Sequence, residues 1–224
     1  VLQDIKQAVE NAQHPEEKPT EEVKTKQAPI FETVEKAPVQ SKSAVYETTV
    51  LPVMGTSDEF YLPQNAGKLQ SLALRIMNTE APISRNALVH KLLGAWGITR
   101  SGDRTDTVLA GVFKTLDKRI TVDSENAFFW LSVQDPDTYD IYRTTDAQGN
   151  RRELTEIPSE EIISAMTEVL SEQIGLSRAD LIRETAKKFG YTRLGTVMSA
   201  TVEFAVDKAV SGGKIKSNGD KYTL

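Results

Sequence analysis

The residues best placed for chemistry in this chain are two arginines in nearly matching corners. Arg100 lies in Gly97-Ile98-Thr99-Arg100-Ser101-Gly102, and Arg193 lies in Gly190-Tyr191-Thr192-Arg193-Leu194-Gly195. A planar guanidinium fork binds two oxygens of one phosphate. A helix that opens just after such a corner aims its free N–H groups at the same anion. The candidate contact set is therefore Arg100, Ser101 and Arg104 at the first corner, and Arg193, Thr196 and Ser199 at the second. Lys118 and Arg119, or Lys214 and Lys216, add backbone contacts from the strands that follow. A plainer reading stands beside this one, in which Arg100 and Arg193 cap the preceding helix or lie solvated.

Other chemistries find no seat. The sequence has no cysteine and two histidines, His14 and His90, which removes thiolate and histidine-rich metal sites and thiol nucleophiles. Asp135, Asp137, Asp140 and Asp146 lack the spacing and terminal glutamate of a calcium loop and read as a solvated acidic surface. Neither G-x-x-x-x-G-K-[ST] nor G-x-G-x-x-G occurs, so the four corner glycines read as turn residues rather than a phosphate loop. Trp96 and Trp130 suit base stacking or a core, and core is the favoured reading. No catalytic residue, metal or cofactor is expected.

The elements that position the corners repeat. Ser84-Arg85-Asn86-Ala87-Leu88 returns as Ser177-Arg178-Ala179-Asp180-Leu181, at the offset of the corners themselves (177 − 84 = 93 and 190 − 97 = 93). Apolar spacing predicts helices at 66–79, from Ser84 to about Gly94, and from Arg104 to Lys118. Ile120-Thr121-Val122 and Ala127–Leu131 then flank a polar turn, which reads as a hairpin. Pro158, Ser177 and Gly195 open three matching helices. Asn218-Gly219 marks a second hairpin at the end of the chain. Tyr139–Arg143 and Arg151–Leu154 around Asp146–Asn150 predict an extra hairpin between the halves. The expected fold is mainly α with small β-hairpins (α+β). Three helices and a hairpin, given twice, read as two tandem winged-helix units, a form of helix-turn-helix, after a disordered N-terminal linker.

Charge follows the same division. Net charge is −5, but residues 75–122 carry eight basic and four acidic residues, and residues 177–221 carry nine and five. Residues 123–176 carry three and twelve. Both repeats are locally basic, and an acidic segment separates them. The opening, with Val1, Leu2, Ile5 and Val9, reads as the tail of an upstream helix, and the proline-rich stretch after it reads as a linker. The expected organisation is a tail helix (1–13), a flexible linker and arm (14–59), unit 1 (60–133), a connector (134–156) and unit 2 (157–224). A chain that starts at Val1 reads as a piece of a longer protein. No signal peptide or membrane-spanning run is evident, and the cytoplasm is the expected compartment.

The ordered set Glu80-Ala81-Pro82-Ile83, Trp96–Gly102, Ile157–Ile162 and Phe189–Gly195 resembles a C-terminal domain of unknown function in large bacterial superfamily-1 helicase-like proteins. Those proteins also carry a restriction or very-short-patch-repair type nuclease domain. The resemblance covers about 60–224. It implies a parent that acts on DNA with ATP, in repair or in defence, through motor and nuclease motifs that this chain does not contain. The expectation is a non-catalytic DNA-binding module that also meets the helicase and nuclease domains of its parent, with no membrane partner. The rival is a protein–protein or intramolecular docking module, which the zero net charge of residues 61–224 favours.

Overall fold

Leu69, Leu72, Ala73, Ile76 and Met77 recur at three- and four-residue spacing and bury one side of helix α1 (Ala66–Glu80). The computed structural model describes residues 42–224, so the expected tail helix and the expected linker up to residue 41 lie outside the described residues. Pro82 follows α1, and a two-residue strand, β2 (Ile83–Ser84), leads into α2 (Arg85–Gly94). The Ser84 hydroxyl accepts the Ala87 N–H at 3.0 Å, the cap that the sequence predicts. Helix α3 (Asp103–Thr115) buries Leu109, Val112 and Phe113 against α1 and α2. A hairpin of β3 (Lys118–Asp123) and β4 (Asn126–Leu131) follows. Strand β2 pairs antiparallel with β4, placing Ile83 opposite Phe129, and the sheet order is β2-β4-β3.

The second half repeats each step. Helix α4 (Ser159–Glu172), β6 (Leu176–Ser177), α5 (Arg178–Lys188) and α6 (Thr196–Ser211) start where the first half predicts (159 − 66, 176 − 83, 178 − 85 and 196 − 103 all equal 93). Ser177 caps α5 by accepting the Asp180 N–H at 3.2 Å. Strands β7 (Lys216–Asn218) and β8 (Lys221–Thr223) close the chain, and the order β6-β8-β7 repeats that of the first sheet. The register breaks only in the hairpins, which are six residues a strand in the first half and three in the second. The architecture of the described residues is α+β, with six α-helices, two small antiparallel sheets and a two-stranded parallel pair.

Each half has its own apolar core. Phe60, Leu88, Trp96, Leu109 and Phe129 belong to the first; Ile162, Leu181, Phe189, Val202 and Ile215 belong to the second. Trp96 and Trp130 are both buried, as expected of core residues. Residues 46–63 pack as an irregular arm on the first half: Phe60 is buried, and the Met54 N–H reaches the Ala95 carbonyl at 2.8 Å. The connector differs from expectation. Strand β5 (Tyr142–Arg143) pairs in parallel with β1 (Ser43–Ala44) rather than with residues 151–154. The turn at Asp146–Asn150 does form, its Asp146 carboxylate accepting N–H groups from Gln148 and Asn150. The arm captures the strand because Tyr142 is needed in the second core, where it stacks edge-on with Phe189 at 5.8 Å. All described residues fall within one unit, Pro38–Leu224. Among the described residues no helix is long and apolar enough to cross a membrane.

Candidate nucleic-acid interface

Both corners are built the same way. Gly97, at φ 69°, follows the end of α2, and Gly190, at φ 82°, follows the end of α5. The Ile98 N–H returns to the Leu93 carbonyl at 3.0 Å, and the Tyr191 N–H returns to the Ala186 carbonyl at 3.1 Å. This is the six-to-one closure that follows a left-handed glycine. Of the four corner glycines, only this first of each pair takes that conformation. Gly102 and Gly195 are extended N-cap residues of α3 and α6. The corner throws Arg100 and Arg193 outward, and both are exposed.

The remaining predicted contacts divide. Arg104, in the first turn of α3, is exposed with its guanidinium 3.9 Å over the Tyr61 ring. Ser101 donates to Asp106 Oδ1 at 2.7 Å and approaches Thr105 Oγ1 at 3.3 Å, so it secures the start of α3. Lys118 does not extend outward from the hairpin. Its Nζ caps the end of α3 at the Phe113 carbonyl and lies 5.3 Å from the Phe129 ring, and burial lowers its pKa. Arg119 is held by Asp135 at 3.3 Å and by the Ser132 carbonyl at 3.1 Å. In the second half Thr196 is exposed and Ser199 donates to Glu203 at 2.9 Å. Lys214 and Lys216 are exposed, resting on the Asp137 and Leu224 carbonyls at 3.3 Å each.

The outward faces of α3 and α6 are chemically opposite at equivalent positions. On α3 the exposed residues include Arg104, Thr107, Gly111 and Lys114. Ninety-three residues on (197 − 104 = 93), α6 exposes Val197, Ala200, Phe204 and Asp207. The first face is small and cationic; the second is apolar and acidic. Ion pairing sharpens the contrast. Arg178 meets Asp207 at 2.8 Å, Arg183 meets Asp180 at 2.5 Å, and Lys187 meets Glu184 at 2.8 Å. Lys188 meets Glu168 and Glu172 at 3.0 and 3.2 Å. Among the described residues no salt bridge engages Arg100, Arg104 or Lys114. Arg193, Lys214, Lys216 and Lys221 of the second half likewise meet no side-chain carboxylate among the described residues, so the halves differ in where their free cations lie: on the third helix in the first half, and off it in the second. Counting residues along the chain does not register which cations the fold neutralises.

Sequence reasoning missed a buried polar junction. Glu161 on α4 is fully buried, and it takes Arg152 Nη1 and Nη2 at 2.9 and 2.7 Å. Arg143 meets it through its backbone N–H at 2.9 Å and its guanidinium. Arg143 also donates to the Glu80 and Pro82 carbonyls at 2.7 Å each, so one side chain bridges the first half to the second. Tyr46 covers both arginines, its ring 5.2 Å from Arg143 and 4.4 Å from Arg152, while its hydroxyl donates to the buried Glu80. Lys91 reaches Glu80 at 3.1 Å. Burial would push the Glu161 carboxyl up, but Arg152 and Arg143 outweigh it and hold it at about 2. Burial raises the Tyr46 hydroxyl, and the Glu80 charge raises it further. The sequence does carry a signal: Glu80 falls four residues after buried Ile76, and Glu161 four before buried Ala165, both on apolar helix faces. A second junction joins the end of β3 to α4 and α6, where Lys208 meets Asp123 at 2.9 Å and Glu160 at 2.8 Å while the Asp123 carboxylate accepts the Ser159 N–H and hydroxyl at 2.8 Å each.

Among the described residues no group of histidine and carboxylate side chains is arranged to hold a metal ion. No curated protein matches the chain. Residues 58–106 match a family model described as a protein of unknown function (DUF3320), so the stretch from the arm through α1, α2 and the first corner to the opening of α3 is similar to that domain of unknown function.

Proposed function

We propose that this chain is a non-catalytic DNA-binding module of the winged-helix kind, and that its first half makes the DNA contact. The winged-helix reading is supported by the order helix, strand, helix, helix, hairpin, with the lone strand added to the second hairpin strand in both sheets. In such modules the third helix enters the major groove with its first turns leading. The observation that carries the reading is the outward face of α3. Arg104, Thr107, Gly111 and Lys114 share it beside exposed Arg100, with small residues where a groove wall would approach. Binding is mainly to phosphates, because so few free cations give a modest, salt-sensitive affinity. The resemblance to the C-terminal domain of helicase-like proteins supports a setting beside a motor and nuclease, which the module would hold on DNA in repair or defence.

The test is titration of the full 224-residue chain with labelled duplex, forked and single-stranded DNA at rising salt. Binding at about 50 mM salt that weakens steeply by about 200 mM is the expected result. No binding of any of the three at low salt would end the proposal.

A further inference from the structure

The β3–β4 hairpin tip and the first half of α6 enclose a cleft of about 350 Å³. Its buried lining is Phe128, Ile157 and Ile162 with the polar pair Asp123 and Ser159; its exposed lining includes Val197, Phe204 and Glu125. Val197 is 68% exposed and Phe204 38%, a large apolar display on a helix whose inner face is already filled by Val202, Ala205, Val206 and Ala209. Residues 197, 200, 201 and 204 follow the spacing of one helix stripe, the pattern into which a second helix lays its own apolar ridge. No lysine or arginine lines the cleft. Asp123 and Glu125 do; Lys208 is shared between Asp123 and Glu160, one cation against two carboxylates, and Glu125 meets no cation among the described residues.

We propose that this cleft docks an amphipathic helical segment of a partner protein, with an apolar face and flanking lysine or arginine. Charge chooses the occupant. A nucleic acid is repelled by the carboxylates and finds no donor fork. The chain's own residues 1–41 carry five basic and eight acidic residues (5 − 8 = −3), the wrong sign for an acidic mouth. A basic amphipathic helix meets both requirements, seating one or two apolar side chains between Val197, Phe204 and Phe128 while its cations face exposed Glu125 at the rim. The two repeats thereby divide their work: the outward face of α3 meets DNA, and that of α6 meets protein.

The experiment titrates the full chain into a labelled model peptide with leucines on one helical face and lysines elsewhere, and into its counterpart with glutamates for the lysines. The lysine peptide is expected to bind at about 10 μM and the glutamate peptide at least tenfold more weakly. Val197→Lys and Glu125→Lys, both at exposed positions that tolerate a long side chain, each weaken the lysine peptide at least fivefold. Arg104→Ala changes it less than twofold. Equal affinity for the two peptides, or indifference to both cleft substitutions, overturns the proposal. So does sedimentation showing a dimer that Val197→Lys dissolves, because a second copy is then the occupant. Tenfold tighter peptide binding after Leu2→Ser and Ile5→Ser overturns it as well, since the chain's own start then fills the cleft. DNA binding is read on the same Val197→Lys protein. A loss there would count against the division of labour while leaving the contact through α3 in place.

Discussion

At the scale of the residue, the partner of a charge decides what it can do. Arg104 and Arg119 look alike in the sequence, yet Arg104 rests on the Tyr61 ring with no carboxylate partner among the described residues, while Arg119 is held by Asp135 and the Ser132 carbonyl. Arg104→Ala is therefore expected to weaken DNA binding about tenfold and to lower the salt slope by about one, whereas Arg119→Ala leaves both within twofold, measured by fluorescence anisotropy. Glu161 is the opposite case, a charge that never meets solvent. Glu161→Gln leaves Arg143 and Arg152 facing a neutral amide in a buried site, and a loss of about 3–5 kcal/mol is expected in urea unfolding at neutral pH. The pH dependence has a definite sign. The carboxyl is lowered from 4.5 to about 2, so its contribution is present above pH 4.5 and is lost as pH falls through 2. That loss is about 3 kcal/mol for wild type. The Glu161→Gln protein should lack this part of the acid slope, and parallel acid slopes for the two proteins would refute the assignment.

At the scale of the element, local sequence accounts for most of what is seen. The caps at Ser84 and Ser177, the apolar stripes of helices α1 to α6 and the hairpin turns are all set within a few residues of chain, which is why their positions are legible without a fold. The corner glycines show where that legibility stops. All four look equivalent in sequence, but only Gly97 and Gly190 have left-handed φ. Gly97 has nothing near its missing Cβ, so Gly97→Ala should cost about 1 kcal/mol from backbone strain alone. At Gly190 an added Cβ would also meet Thr145 Cγ2 at 3.1 Å, and Gly190→Ala should cost about 2 kcal/mol. Gly102→Ala, extended and uncrowded, should stay within about 0.5 kcal/mol. Chemical denaturation of the three variants ranks them, and a Gly102 variant weaker than the Gly190 variant would contradict this account. The connector hairpin fails as an expectation for a related reason: the pairing of a two-residue strand has no local signal, and with Tyr142 in the second core its partner is Ser43–Ala44, distant in the chain.

At the scale of the whole molecule, the repeats keep separate apolar cores but share buried ionic junctions. Arg143 touches Glu80 and Pro82 of the first half and Glu161 of the second, so the halves lose stability together when it is removed. A single calorimetric transition is expected for the chain, and Arg143→Ala should split it into two, the second half melting first because Glu161 then loses one of its two cations. One lowered but undivided transition would show that the apolar contacts alone couple the halves. The sequence by itself determined the duplicated order of elements, the caps, the glycine corners and the cores, because each depends on residue types at short, fixed spacings. Only the tertiary structure decided which cations remain free, which helix face is cationic and which is apolar, and that Glu80, Arg143, Arg152 and Glu161 meet. Those outcomes depend on pairs distant in the chain, such as Arg143 with Glu80, and no local pattern encodes which partner a charged side chain will find once the core has closed around it.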